Sequence, residues 1–236
     1  MRFLIAITIL SLSLNVYGQN SSLLFIPAGK NISDVATAEQ IYRFPNFKKG
    51  KVYFRDGRIN SGDLNYNYLN GEIEFIAANG DTLAIIKDQA LNIKYIELDS
   101  AIFYYDKTAY LEQVANFETG KILKRQEYRV SKREKIGGYE QPSSTSGIES
   151  YSSFSGGNAI MAPKLTVREH ITLVKPVQYF IGDEYNTFLP ANKKNVLSLY
   201  QKNKRQIEDY LRNNNVDYKK LEDLKKLFAS MQPAKG

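Results

Sequence analysis

Residues 47–86 read FKKGKVYFRDGRINSGDLNYNYLNGEIEFIAANGDTLAII. Short runs of β-branched and aromatic residues are separated by Asp56-Gly57, Asn70-Gly71 and Asn79-Gly80. Asn, Asp and Gly tolerate the positive φ angles of tight hairpin turns, and the flanking residues favour a pleated, half-buried backbone. The stretch therefore predicts four strands, at 51–54, 64–69, 72–76 and 82–86, paired as an antiparallel meander. Within Glu72-Ile73-Glu74-Phe75 the alternation places both glutamates on one face and Ile73 and Phe75 on the other.

The same pattern continues outward. Strands are expected at 92–98 and 102–105 around Asp99-Ser100, and at 110–117 and 122–130 around Glu118-Thr119-Gly120. Two more follow at 165–174 and 177–181. Towards the N-terminus, 23–27 reads as a short strand and 34–40 as a helical turn. The segment 43–47 reads as extended because the residue before Pro45 avoids the helical region. Residues 137–157 contain twelve Gly or Ser in 21 positions, too little apolar surface to offset the entropy of ordering, so a mobile loop is expected.

From residue 191 the period changes. Val196, Leu199, Tyr200, Ile207, Tyr210 and Leu211 recur at helical spacing over 191–212, and Asn213-Asn214-Asn215 ends the run. Asp217 reads as the N-cap of a second helix carrying Leu221, Leu224, Leu227 and Phe228. The predicted fold is mainly β: an antiparallel meander over 19–190, curled into an open barrel or sandwich, with a basic C-terminal helical hairpin at 191–230.

The first 18 residues have a different character. Met1-Arg2 precedes an apolar run at 3–14, and Val16-Tyr17-Gly18 supplies small residues before Gln19. This is the layout of a secretory signal peptide cleaved near Gly18-Gln19, and the run is short for a membrane span. Export to the periplasm or outer envelope follows as the expectation. The chain contains no cysteine, which removes disulfides, thiolate nucleophiles and Cys-ligated metals. The formal charge of +7 is uneven: 19–190 carry 20 basic and 20 acidic residues, whereas 191–230 carry ten and five. A basic surface of this kind favours anionic partners.

No catalytic signature is present. His170 is the sole histidine and sits on the polar side of its strand with Thr166, Arg168 and Thr172, where an ordinary surface role is expected. Asp56, Asp63, Asp81 and Asp99 lie near turns, where Asp serves backbone geometry. The tyrosines, Tyr53, Tyr66, Tyr68, Tyr95, Tyr104 and Tyr105 among them, suit half-buried sheet positions. No cofactor, metal or nucleic-acid site is expected. The candidate contact residues are Lys219, Lys220, Lys225 and Lys226 on the hairpin, and Tyr139, Tyr151 and Phe154 in the Ser/Gly-rich loop.

Three stretches carry a resemblance to a known group. They are 47–57 (FKKGKVYFRDG), Leu64-Asn65-Tyr66-Asn67 with Gly80-Asp81-Thr82-Leu83, and the segment from Lys202 through Ile207, Tyr210 and Leu211 to Asn215-Val216-Asp217. Together they resemble a family of exported β-rich proteins of Bacteroidota, of unknown function. The resemblance implies a Gram-negative envelope setting and supplies no catalytic residue. The function expected is therefore non-enzymatic: binding or structural, with an envelope protein or an anionic envelope surface as partner. The alternatives are a carboxylate-dependent hydrolase of envelope polymers, which needs two Asp or Glu on one cleft, and a carrier of an apolar ligand inside the curled sheet.

Overall fold

In the computed structural model, residues 23–135 and 169–232 are described. The signal-peptide reading of 1–18, the loop at 137–157 and the start of the 165–174 strand lie outside them. Thirteen strands form two antiparallel sheets among these residues. In chain order they are β1 (Leu23–Ile26), β2 (Lys48–Phe54), β3 (Ile59–Asn67), β4 (Glu72–Ile76), β5 (Thr82–Ala84), β6 (Ile93–Leu98) and β7 (Ala101–Asp106). There follow β8 (Ala109–Phe117), β9 (Gly120–Gln126), β10 (Arg129–Lys135), β11 (Glu169–Val174), β12 (Val177–Gly182) and β13 (Phe188–Pro190). The large sheet runs β13-β12-β9-β8-β7-β6-β2-β3-β4-β5, and the small one β1-β11-β10. Short helical turns, α1 (Ala38–Ile41) and α2 (Lys87–Ala90), flank the large sheet.

The turn chemistry acts as the sequence predicts. Gly57, Gly71 and Gly80 all have positive φ, at 90°, 69° and 87°. The Asx side chains before or beside them accept backbone N–H groups: Asp56 from Arg58, Asn70 from Glu72, and Asn79 from Asp81. Gly71 has a second reason to lack a side chain, since a Cβ there would stand 2.6 Å from the Glu127 carboxylate.

The large sheet curls without closing into a barrel, so the architecture is an open sandwich. Tyr66 on β3 stacks on Phe103 of β7 at 5.3 Å, although β2 and β6 lie between their strands in the sheet. Ile73, Ile96, Leu98 and Phe103 fill the concave side, and Leu24, Ile171 and Leu173 of the small sheet pack on the same cluster. Because paired residues point to the same side, the Phe103–Glu112–Lys124 register continues this face towards Ile122 and Ile181.

At that end the face is covered by α3 (Lys193–Leu199), α4 (Lys204–Asn213) and α5 (Leu221–Ser230). Val196, Ile207, Leu224, Leu227 and Phe228 are fully buried against Ile122 and Ile181. The single helix expected over 191–212 is instead broken. Tyr200 leaves helical geometry at φ −109°, ψ 53°, which lets its hydroxyl donate to the Gly182 carbonyl at 3.0 Å. Asp217 is not the N-cap of α5; that position is Lys220, without a side-chain cap. Asp217 instead accepts the Lys219 N–H within the preceding turn.

Two further expectations are corrected. The 122–130 strand ends at Gln126, and the chain crosses at Glu127-Tyr128 into the small sheet as β10. The Glu72–Phe75 alternation does not divide water from core. Glu74 is buried, and takes hydrogen bonds from Tyr42, Asn67 and Asn70. On the face opposite Phe103, Tyr53, Tyr95 and Tyr104 stand on the neighbouring strands β2, β6 and β7 with ring centroids 4.4 and 6.2 Å apart, and Phe188 of β13 reaches Tyr104 at 5.3 Å. These half-buried rings pack on one another across the strands, which gives the tyrosines a register-holding role.

Candidate functional site

Tyr139, Tyr151 and Phe154 lie outside the described residues. Lys219, Lys220 and Lys226 are exposed and Lys225 half-exposed. Lys225 is ion-paired with Glu222 at 2.9 Å and Lys220 with Asp217 at 3.9 Å; Lys219 and Lys226 have no ion pair among the described residues. These are solvated helix-surface charges, each worth a few tenths of a kcal/mol to the fold. Replacing all four with Gln is expected to change unfolding free energy by less than about 1 kcal/mol in urea titration. It is also expected to reduce binding to anionic vesicles in co-sedimentation, since each lysine near such a surface contributes about 1 kcal/mol.

His170 accepts a hydrogen bond at Nδ1 from the Ala28 N–H at 3.2 Å and packs on Phe25, 5.4 Å between centroids. It fastens the chain after β1 to β11. No group of three or more potential metal ligands occurs among the described residues, and no described helix is long and apolar enough to cross a membrane.

The two ends of the large sheet differ chemically. At β13, the outward backbone is blunted: Pro190 has no N–H, and its carbonyl accepts from Asn192 and Asn195 at 3.2 and 2.7 Å. At β5, the ladder bonds Ala77 N–H to Asp81 and Ile85 N–H to Ile73 put residues 81, 83 and 85 in register towards β4. The N–H and C=O groups of Thr82 and Ala84 consequently face away from the sheet, with no backbone partner among the described residues. Two adjoining apolar grooves, which share Phe75 and Ile85, lie near this open edge. One, of about 550 Å³, includes Phe75, Leu83, Ala84, Ile85 and Ile86. The other, of about 430 Å³, includes Val52, Phe54, Ile59, Phe75, Ile76 and Ile93. Ile59, Leu83 and Ile86 are 56%, 47% and 59% exposed, high for large aliphatics gathered at one corner. In sequence, the unbroken apolar run Leu83-Ala84-Ile85-Ile86 is the signal for this corner, because it lacks the alternation of a half-covered strand.

Next to the edge, a polar cavity of about 290 Å³ opens between the Asn70-Gly71 turn, α2, the β7–β8 turn and the end of β9. Glu72 and Glu127 both line it. Glu127 is committed: its Oε1 accepts from Arg125 at 2.6 Å and from Arg129 at 3.3 Å. Burial, and next the neighbouring Glu74, push the Glu72 carboxyl above its ordinary range. Burial does the same to Asp106 beside Lys107.

A third polar feature is internal. Glu112 is held by Arg43, with Nη2 to Oε1 at 3.1 Å, and by Lys124 at 3.1 Å. These three lie between the two apolar clusters of the concave face. Lys175, in the β11–β12 crossing, is 4% exposed beside them. Its Nζ stands 3.8 Å from the Tyr68 ring centroid and 5.2 Å from that of Tyr128, with no carboxylate or hydrogen-bond acceptor among the described residues. Burial, then repulsion from Lys124 and Arg43, push this ammonium down to about 8.

No family model matches this chain, and neither a curated protein nor a solved structure does.

Proposed function

We propose that this protein is an exported, non-enzymatic binding module of the cell envelope that captures a partner polypeptide in extended conformation along β5. The observation that supports this reading is the pairing of an open strand edge at Thr82 and Ala84 with two adjoining apolar grooves. An added strand would satisfy the outward backbone groups and bury alternate apolar side chains, the physics of strand addition. The contrast with β13, whose outward edge is chemically blunted, favours β5 as the docking end. The envelope setting follows from the N-terminal leader pattern and the sequence resemblance. The basic helices would add attraction to an anionic envelope surface. A hydrolase using Glu72 and Glu127 has both carboxylates on one cavity, but the commitment of Glu127 to two arginines favours binding over catalysis. For an apolar-ligand carrier, the inside of the curled sheet is occupied by Tyr66, Ile73, Ile96 and Phe103.

The test is Ala84→Pro. The Ala84 N–H makes no bond to β4, so proline there spares the existing ladder while removing an outward donor. Photo-crosslinking from position 83 in cells is expected to trap an envelope protein in the wild-type chain. In Ala84→Pro the crosslinked yield should fall at least about tenfold, as expected for losing strand-addition hydrogen bonds, with the thermal midpoint unchanged. Equal yields from both chains would refute docking along β5.

A further inference from the structure

The open edge at β5 carries its own charge pattern. Asp81 stands three residues before Ala84 and Lys87 three residues after it, both exposed and without an ion pair among the described residues. The outward backbone continues past the strand. Ile86 keeps extended geometry at φ −68°, ψ 149°, and its N–H has no backbone partner among the described residues. Its carbonyl is taken by the N–H groups of Gln89 and Ala90 in α2. Leu83 and Ile86, 47% and 59% exposed, lie between the two charges.

A strand added antiparallel to β5 has to match all of these features, and a second β5 does. Place Ala84 opposite Ala84 of the second copy, across a two-fold axis. Thr82 then faces Ile86, Leu83 faces Ile85, and Asp81 faces Lys87 at both ends of the pair. The two Ala84 residues exchange N–H and C=O groups, and each Ile86 N–H reaches the Thr82 carbonyl of the other copy. Opposite charges directly across from one another favour this register, and the exposed Leu83 and Ile86 gain cross-strand neighbours. Sliding one copy by two residues, the smallest step that keeps the outward groups facing, loses the match. In one direction Asp81 faces Ile85; in the other the pairing runs into the helical backbone of α2. We infer that β5 is a self-recognition edge: the polypeptide it captures is a second copy of this chain, joined antiparallel about Ala84. This rests on the reading of β5 as a docking edge and names its partner. So short an edge makes a small interface, so the association belongs to the weak, transient class.

The experiment is sedimentation velocity of the purified full chain over a concentration series. The wild type is expected to move reversibly from monomer towards dimer. Lys87→Asp sets like charges across from one another at both ends, and Asp81→Lys does so with the opposite sign. Each alone is expected to weaken the dimer at least about tenfold. An equimolar mixture of the two variants restores opposite charges at both ends and is expected to recover wild-type affinity as a mixed dimer. If Asp81→Lys does not fold, Lys87→Gln takes its place; it removes attraction without adding repulsion, and its affinity should fall between those of wild type and Lys87→Asp. A wild type that stays monomeric, a dimer untouched by Lys87→Asp, or no mixed dimer from two folded variants would each overturn self-recognition. The docking reading fails separately. A monomeric wild type whose position 83 crosslinks a different protein, with that yield lost in Ala84→Pro, keeps β5 as a docking edge and overturns only the identity of its partner.

Discussion

Glu112→Gln is expected to destabilise the protein by about 3 kcal/mol, the cost of removing one partner from a largely buried charge network. Among the described residues the carboxylate is the one anion bonded to both Arg43 and Lys124, and Lys175 lies in the same interior region. Glutamine preserves shape and one acceptor, so the loss measures charge rather than packing. Urea denaturation should show a lower midpoint with an unchanged slope, since the folded surface is the same. A stability within about 0.5 kcal/mol of wild type, the range of surface substitutions, would show that solvent reaches the network and screens it.

Lys175→Met is expected to act in the opposite direction, stabilising the protein by about 2 kcal/mol at pH 7. A lysine held at about 8 in the fold instead of 10.5 carries a charged form disfavoured by about 3 kcal/mol. Loss of the contacts with Tyr68 and Tyr128 returns about 1 kcal/mol of that. Methionine fills similar volume with a flexible apolar chain. The pH dependence follows from the same shift. Below pH 8 the lysine is charged in both states and the fold bears the full cost. Between pH 8 and 10.5 the unfolded chain holds more protons on this group, so wild-type stability rises with pH relative to the variant. Above that window the lysine is neutral in both states and the gap closes. Denaturation of both proteins at pH 7 and at pH 10.5 gives this difference, with the tyrosines cancelling between them. A destabilised variant would mean that Lys175 is held by an acceptor. The two substitutions share neighbours, so a double-mutant cycle should show coupling: Lys175→Met removes a cation that Glu112→Gln leaves in excess.

The strands and their turns were legible because their causes are local. Asn70-Gly71 and Asn79-Gly80 bracket β4 at 72–76, the expected range, since side-chain acceptors and glycine φ freedom act within two residues. The helical stripe from Val196 to Leu211 was legible by period, but its break at Tyr200 was not, because a hydroxyl contact with Gly182 on a distant strand decides it. Alternation placed Glu74 opposite Ile73 and Phe75, and its burial under Tyr42, Asn67 and Asn70 depends on a segment 32 residues away. Glu112 and Lys124 are interior because the sheet curls and both ends of its concave face acquire a cover, the small sheet at one and the helices at the other. The lysines picked for their run of charge remain at the surface, half of them ion-paired within their own turns.

By itself, then, the sequence determined the mainly β class, the places where the chain turns, the helical C-terminus and the absence of thiol chemistry. These follow from backbone preference, hydrophobic period and composition, all properties of neighbouring residues. The tertiary structure alone decided which polar residues are buried, that Lys175 meets two tyrosine rings and no carboxylate among the described residues, that Glu72 and Glu127 share a cavity, and that β5 keeps an open edge while β13 does not. Each of these depends on which strand lies beside which and how far the sheet rolls. That is set by packing summed over the whole chain, which no local period encodes.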